Sequence, residues 1–126
     1  MKFRAIRENH LYNKAYSKGK RAVYPTIAVY VLPDYAARRL RRAHPMHINV
    51  NRIGITASKK LGGAVARNRA KRVIREAYRS VAAAHRVKTG FLIVIAAREP
   101  ATRVKSTQVS RELYAALGRL DMLVQS

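Results

Sequence analysis

The chain has 126 residues, 48% of them hydrophobic, and a formal charge of +21 from 27 basic and six acidic residues. That length suits one domain with a real core, and that charge calls for a polyanionic partner, with nucleic acid ahead of an anionic membrane. The absence of cysteine excludes a disulfide framework, a thiol nucleophile and a zinc–thiolate site. No apolar run approaches the roughly 20 residues that span a bilayer. The first ten residues, MKFRAIRENH, lack the apolar stretch of a secretory signal, so a cytoplasmic protein is the expectation.

In chain order, Asn9 is placed to cap a short helix that ends at Lys18, with Gly19 at a left-handed stop. Tyr12 and Tyr16, four residues apart, share one face of that helix. Thr26 to Leu32 alternates as a strand, with Ile27, Val29 and Val31 on one side and Ala28, Tyr30 and Leu32 on the other. The basic connection that follows, through RRLRRAHP, has no clear period and fits either a solvated hairpin loop or a helical turn. Arg52 to Ala57 is a second strand with Ile53 and Ile55 toward the core. Gly54 within it marks a close approach by another group.

A helix is predicted from Ala64 to Ala84. Gly90 precedes FLIVIAA, a continuous apolar run that reads as a strand buried on both faces. From Ser106 or Thr107, the spacing of Val109, Leu113, Ala116, Leu117 and Leu120 predicts an amphipathic last helix. The expected class is α+β, an α/β two-layer sandwich in the order α-β-β-α-β-α, with one domain over 1–126.

Most of the chemistry lies between Ser58 and Arg79, where eight residues are Lys or Arg and Glu76 is the one acid. At about 100° per residue, Ala66, Ala70, Val73, Ile74, Ala77, Val81 and Ala84 share an apolar arc. Opposite stand Asn68, Lys71, Arg72, Arg75 and Arg79, while Arg67 and Arg69 flank the arc on its two sides and aim in different directions. Lys59 and Lys60 add charge beside the positive end of the helix dipole, where Gly62 and Gly63 let a ligand's backbone come close. Solvated faces normally mix signs, and this one does not.

The segment RIGITASKKLGGAVARNRAKRVIREAY resembles the signature of the bacterial ribonuclease P protein subunit, centred on Arg67-Asn68-Arg69. Tyr12-x-x-x-Tyr16-x-x-Gly19, IAVYVL and FLIVIAAREPA extend the likeness over most of the chain. It implies a fold like domain 2 of ribosomal protein S5, with a left-handed βαβ crossover that the usual handedness rule does not predict. It also implies two sites. Lys59, Lys60, Arg67, Asn68, Arg69, Lys71, Arg72 and Arg75 would bind a catalytic RNA. Tyr12, Tyr16, Tyr30 and Arg52 would bind the single-stranded 5′ leader of precursor tRNA, where aromatic stacking gives affinity with little sequence preference.

The resemblance further implies a ribonucleoprotein endoribonuclease whose Mg2+ ions are held by the RNA. The carboxylates Glu8, Asp34, Glu76, Glu99, Glu112 and Asp121 are scattered, so this chain offers no residues for a protein-only two-metal nuclease. His44 and His47, beside Pro45, lack a neighbouring acid and make a poor metal site. A basic rRNA-binding protein is the rival reading, and the tyrosine face argues against it. The sequence departs from the family pattern at Gly63, where Asn is common, and in using tyrosine where phenylalanine is frequent in the first helix.

Overall fold

The computed structural model describes residues 3–44 and 50–124. Five strands form one sheet in the order β1-β4-β5-β3-β2. They are β1 (Phe3–Ala5), β2 (Lys20–Val23), β3 (Ile27–Pro33), β4 (Asn51–Thr56) and β5 (Phe91–Ala97). The helices are α1 (Asn9–Lys18), α2 (Tyr35–Ala43), α3 (Ala64–Ala84) and α4 (Ser106–Arg119), with short 3-10 turns at Lys59–Leu61 and Glu99–Thr102. The six expected elements are present in the expected order, and β1, β2 and α2 are additions to it. Among the described helices none is long and apolar enough to cross a membrane.

Strand β5 lies at the centre because its sequence allows burial on both sides. It pairs antiparallel with β3, Val29 opposite Ile95, and parallel with β4, Ile53 opposite Ile93. Ile93 and Ile95 enter the main core with Val29, Val31, Ile53 and the apolar residues of α3 and α4. Leu92 and Val94 point the other way, into a small cluster with Ile6, Ala15 and Leu32 beneath α1. The sheet is therefore thickly covered on one face by α3 and α4, and only partly covered on the other by the single short helix α1.

Helix α3 links the parallel neighbours β4 and β5. Ala70, Val73, Ile74, Ala77, Tyr78, Val81 and Ala82 form its buried stripe. Two alanines assigned to that stripe by periodicity, Ala66 and Ala84, are not buried, because the helix ends project beyond the sheet. Tyr78 takes up the space instead, 1% exposed and edge-on to Phe3 with ring centroids 5.1 Å apart.

Two expectations for α1 change. Glu8 rather than Asn9 is the N-cap residue, and it makes no side-chain capping hydrogen bond. Gly19 is extended, at φ −75°, and not left-handed. Its glycine is needed for space: a Cβ there would stand 2.5 Å from the Ala15 carbonyl oxygen. The basic connection is the helix α2, capped by Asp34, whose side chain accepts from the Ala37 N–H. His47 lies outside the described residues.

Candidate nucleic-acid interface

The thinly covered face of the sheet carries the tyrosines. On β3 and β4, Tyr30, Arg52, Gly54 and Thr56 alternate away from the main core, as the period of two requires. Register brings Gly54, Val94 and Tyr30 into one row and Thr56, Ala96 and Ala28 into the next, toward the C-terminal end of β4. Tyr16 reaches over this surface from α1. Its hydroxyl is 3.0 Å from Thr56 Oγ1, and its ring meets Tyr30 edge-to-face with centroids 4.8 Å apart. Tyr16 remains 40% exposed, so the pair is an open platform rather than core.

Tyr12 has a different part. A Cβ on Gly54 would fall 2.4 Å from Tyr12 Cε1, so the close approach expected at this glycine is made by the tyrosine ring. The Tyr12 hydroxyl donates to the Ile6 carbonyl at 3.3 Å, and burial raises its pKa, with Tyr16 adding to the shift. Tyr12 is thus a wall that supports the platform. Gly54 sets how deep the groove runs.

Arg52 is already engaged. Its Nε and Nη2 donate to Asp34 at 2.7 and 2.8 Å, and its Nη1 donates to Glu8 at 3.2 Å. Asp34 is 1% exposed. Its burial alone would raise the carboxyl pKa. The hydrogen bonds from Arg52 and Ala37 and the charges of Arg52 and Arg38 outweigh that, and the pKa falls below its ordinary value. Arg52 keeps two N–H groups beyond these three bonds, so it can touch a phosphate only from a fixed position.

The second set of residues follows directly after β4. Gly62, at φ +130°, makes the turn between the Lys59–Leu61 turn and α3, a conformation that a side chain would strain. Gly63 is the N-cap and leaves the first turn of α3 without a side-chain acceptor. Lys59, Lys60, Asn68, Arg72 and Arg75 are exposed, and Arg67, Arg69 and Lys71 are half-buried. Val65, an apolar residue on this basic end, is 86% exposed.

The two flanking arginines differ in their contacts. Arg69 Nη2 donates to the Val104 carbonyl at 3.0 Å, tying α3 to the segment after the Glu99–Thr102 turn. Arg67 has its Nε buried with no hydrogen-bond partner. Arg69 is therefore partly structural, whereas Asn68 between the two arginines is exposed.

Five of the six carboxylates hold the fold. Glu8 and Asp34 pair with Arg52, Glu99 with Arg103, and Asp121 with Lys88. Glu112 accepts from both the backbone N–H and the hydroxyl of the fully buried Thr26, at 2.9 and 2.8 Å. Among the described residues no three His, Cys, Asp or Glu side chains gather as a metal site would require.

Thr56, beside Tyr16, and the exposed Val65 were not legible as site candidates. The signal that would have found Thr56 is its two-residue offset from Gly54 on the face of Tyr30.

A model of the Ribonuclease P family matches residues 1–121. The chain is similar to the ribonuclease P protein component of Dehalococcoides mccartyi, 40% identical over 82 residues, which covers 65% of each chain. It is also similar to that of Clostridium acetobutylicum, 37% identical over 98 residues, covering 78% of this chain and 72% of the relative. The match thus spans slightly less than two thirds of the first relative's length. Among solved structures, the Staphylococcus aureus RNase P protein superposes with a TM-score of 0.72 at 29% identity, covering 95% of this chain and 97% of that one. The Thermotoga maritima RNase P protein shares the fold, with a TM-score of 0.69 at 22% identity.

Proposed function

This chain belongs to the Ribonuclease P protein family, and on that premise we propose that it is the protein subunit of a ribonucleoprotein endoribonuclease that frees the mature 5′ end of tRNA. In this reading the protein binds two RNAs and cuts neither. The exposed basic residues of the Lys59–Leu61 turn and of α3, namely Lys59, Lys60, Asn68, Arg72 and Arg75, hold the catalytic RNA, with Arg67, Arg69 and Lys71 at their margin. The groove between α1 and the sheet holds the 5′ leader of precursor tRNA, on Tyr16 and Tyr30, with Tyr12 behind them and Arg52 at one end.

The observation that carries the reading is the open Tyr16–Tyr30 pair at 4.8 Å, set on a sheet face whose neighbouring turn supplies Lys59 and Lys60. Phosphate contacts alone would serve a protein that only stabilises folded RNA. An exposed aromatic pair serves unstacked bases, each worth ~1–3 kcal/mol without demanding a sequence. Magnesium, in the same reading, belongs to the RNA partner, because five of the six carboxylates of this chain are engaged in its fold and Glu76 stands apart from them. The cytoplasm is the proposed compartment.

Reconstitution tests this directly. The protein alone is expected to leave precursor tRNA intact, and the protein with the catalytic RNA and magnesium to cut it at the mature 5′ end. Cleavage by the metal-loaded protein without RNA would overturn the proposal.

A further inference from the structure

Helix α2 belongs to neither site above, yet four of its nine residues are arginine and none is acidic. Arg38 is used by the fold: its Nε donates to the Gly90 carbonyl at 3.1 Å, and its guanidinium lies 4.7 Å from the centroid of the Phe91 ring. No residue of α2 is buried, and one side of the helix is small and apolar. Ala36, Ala37 and Leu40 face Val50 and Arg4 across a cavity of about 210 Å3.

The outward side differs in kind. At about 100° per residue, Tyr35, Arg39 and Arg42 fall within an arc of roughly 60°. All three are exposed, Tyr35 at 49%. Helix α1 contributes Lys14, whose Nζ lies 5.3 Å from the centroid of the Tyr35 ring. Between the two helices is a cavity of about 160 Å3 that His10, Lys14, Tyr35 and Arg39 help to line. Asp34 also borders it, but Arg52 and the Ala37 N–H already engage both of its oxygens. Lys14 and Tyr16 are two residues apart on α1, about 200° around the helix, so Lys14 and the Tyr16–Tyr30 pair lie on opposite flanks of it, while Arg52 borders this cavity as well as the end of the tyrosine groove.

An arginine stripe by itself fits any phosphate backbone. An exposed tyrosine beside a lysine and on one helix face with two arginines fits unstacked bases as well, because stacking and charge act on the same strand. We infer that Tyr35, Arg39, Arg42 and Lys14 form a second platform for single-stranded RNA, on the flank of α1 away from Tyr16. A base stacks on Tyr35, and Lys14, Arg39 and Arg42 take the flanking phosphates. Such a strand comes either from the part of the leader beyond the Tyr16–Tyr30 segment or from an unpaired stretch of the catalytic RNA. The first source rests on the leader reading above; the platform itself does not.

The test uses the full chain carrying Tyr16→Ala, so that the first platform is weakened, with circular dichroism to confirm an unchanged fold. Binding of a fluorescent oligouridine is measured against salt. Adding Tyr35→Ala should weaken it about fivefold to tenfold, while Tyr35→Phe should retain it. Arg39→Ala with Arg42→Ala should reduce the slope of log affinity on log salt by about 1.4, the share of two phosphates on a single strand. A blunt duplex RNA should be indifferent to Tyr35→Ala. In the holoenzyme, a loss confined to longer leaders assigns the strand to precursor tRNA, and a loss in assembly assigns it to the catalytic RNA. An unchanged oligouridine affinity in Tyr35→Ala, or an equal loss on the duplex, overturns the platform.

Discussion

The tyrosine face and the basic end of α3 adjoin each other at the end of β4, but they are built on opposite principles. The face is a matter of shape: Gly54 makes room for Tyr12, Tyr12 backs the groove, and Tyr16 is held over it by Thr56 and Tyr30. The end of α3 is a matter of charge: exposed Lys59, Lys60, Arg72 and Arg75 project from a helix fixed by its buried stripe. A groove made by shape fails when one atom is misplaced, whereas a charged surface loses affinity one phosphate at a time.

The sharpest way to break that contrast is Gly54→Val. Its side chain must displace the Tyr12 ring, and overpacking of this kind costs about 1–3 kcal/mol or more. A lower denaturant midpoint with unchanged m-value, together with weakened leader binding, is expected. Wild-type behaviour in both would show that the groove is not set by Gly54.

Asp34→Asn is expected to cost somewhat less, about 2 kcal/mol, because it leaves a partly exposed Arg52 without its main partner and weakens the cap of α2. The sign of the pH dependence follows from the lowered carboxyl pKa. The stabilisation by Asp34 is fully present above its unfolded value of about 4 and is lost as pH falls through the lower folded value. The stability gap between wild type and Asp34→Asn should therefore be flat above that point and shrink below it, measured by urea melts across acid pH.

The smallest effect is expected at Gly63. Nothing lies within 4 Å of a Cβ built there, and its φ of −73° suits any residue. Gly63→Asn should add about 0.5–1 kcal/mol by capping α3 and stiffening the unfolded chain. A loss of stability there would show that the cap position is strained.

The two regions were also unequally legible in the sequence. The span of α3 and most of its buried stripe follow from a long 3.6-residue period, and that pattern is local. The Tyr30 side of β3 and the special place of Gly54 could likewise be read from alternation and from one glycine out of pattern. The capture of Arg52 by Asp34 and Glu8 could not, since it joins residues 18 and 44 positions apart in a contact that no spacing announces. Strand β1 was missed, and the choice between loop and helix for α2 was not decidable, for related reasons. The first has three residues and is defined by its parallel partner β4, and the second owes its start to the Asp34 cap and its seat to Arg38 on Phe91.

The structure also changes which substitutions are informative. Arg69→Ala removes a tie to the Val104 carbonyl, so its effect mixes fold with binding. Arg72 and Arg75 are exposed and report on binding alone.

The central claim, two RNA sites on one small protein, is tested most directly by crossing two variants with two assays at one salt concentration. Arg72→Ala/Arg75→Ala should weaken assembly with the catalytic RNA and leave the affinity of the assembled enzyme for leader-bearing over leaderless tRNA unchanged. Tyr16→Ala should leave assembly intact and reduce that leader preference by about tenfold, the worth of one stacked base. Equal losses from both variants in both assays would contradict the division and return the protein to a single undivided RNA surface.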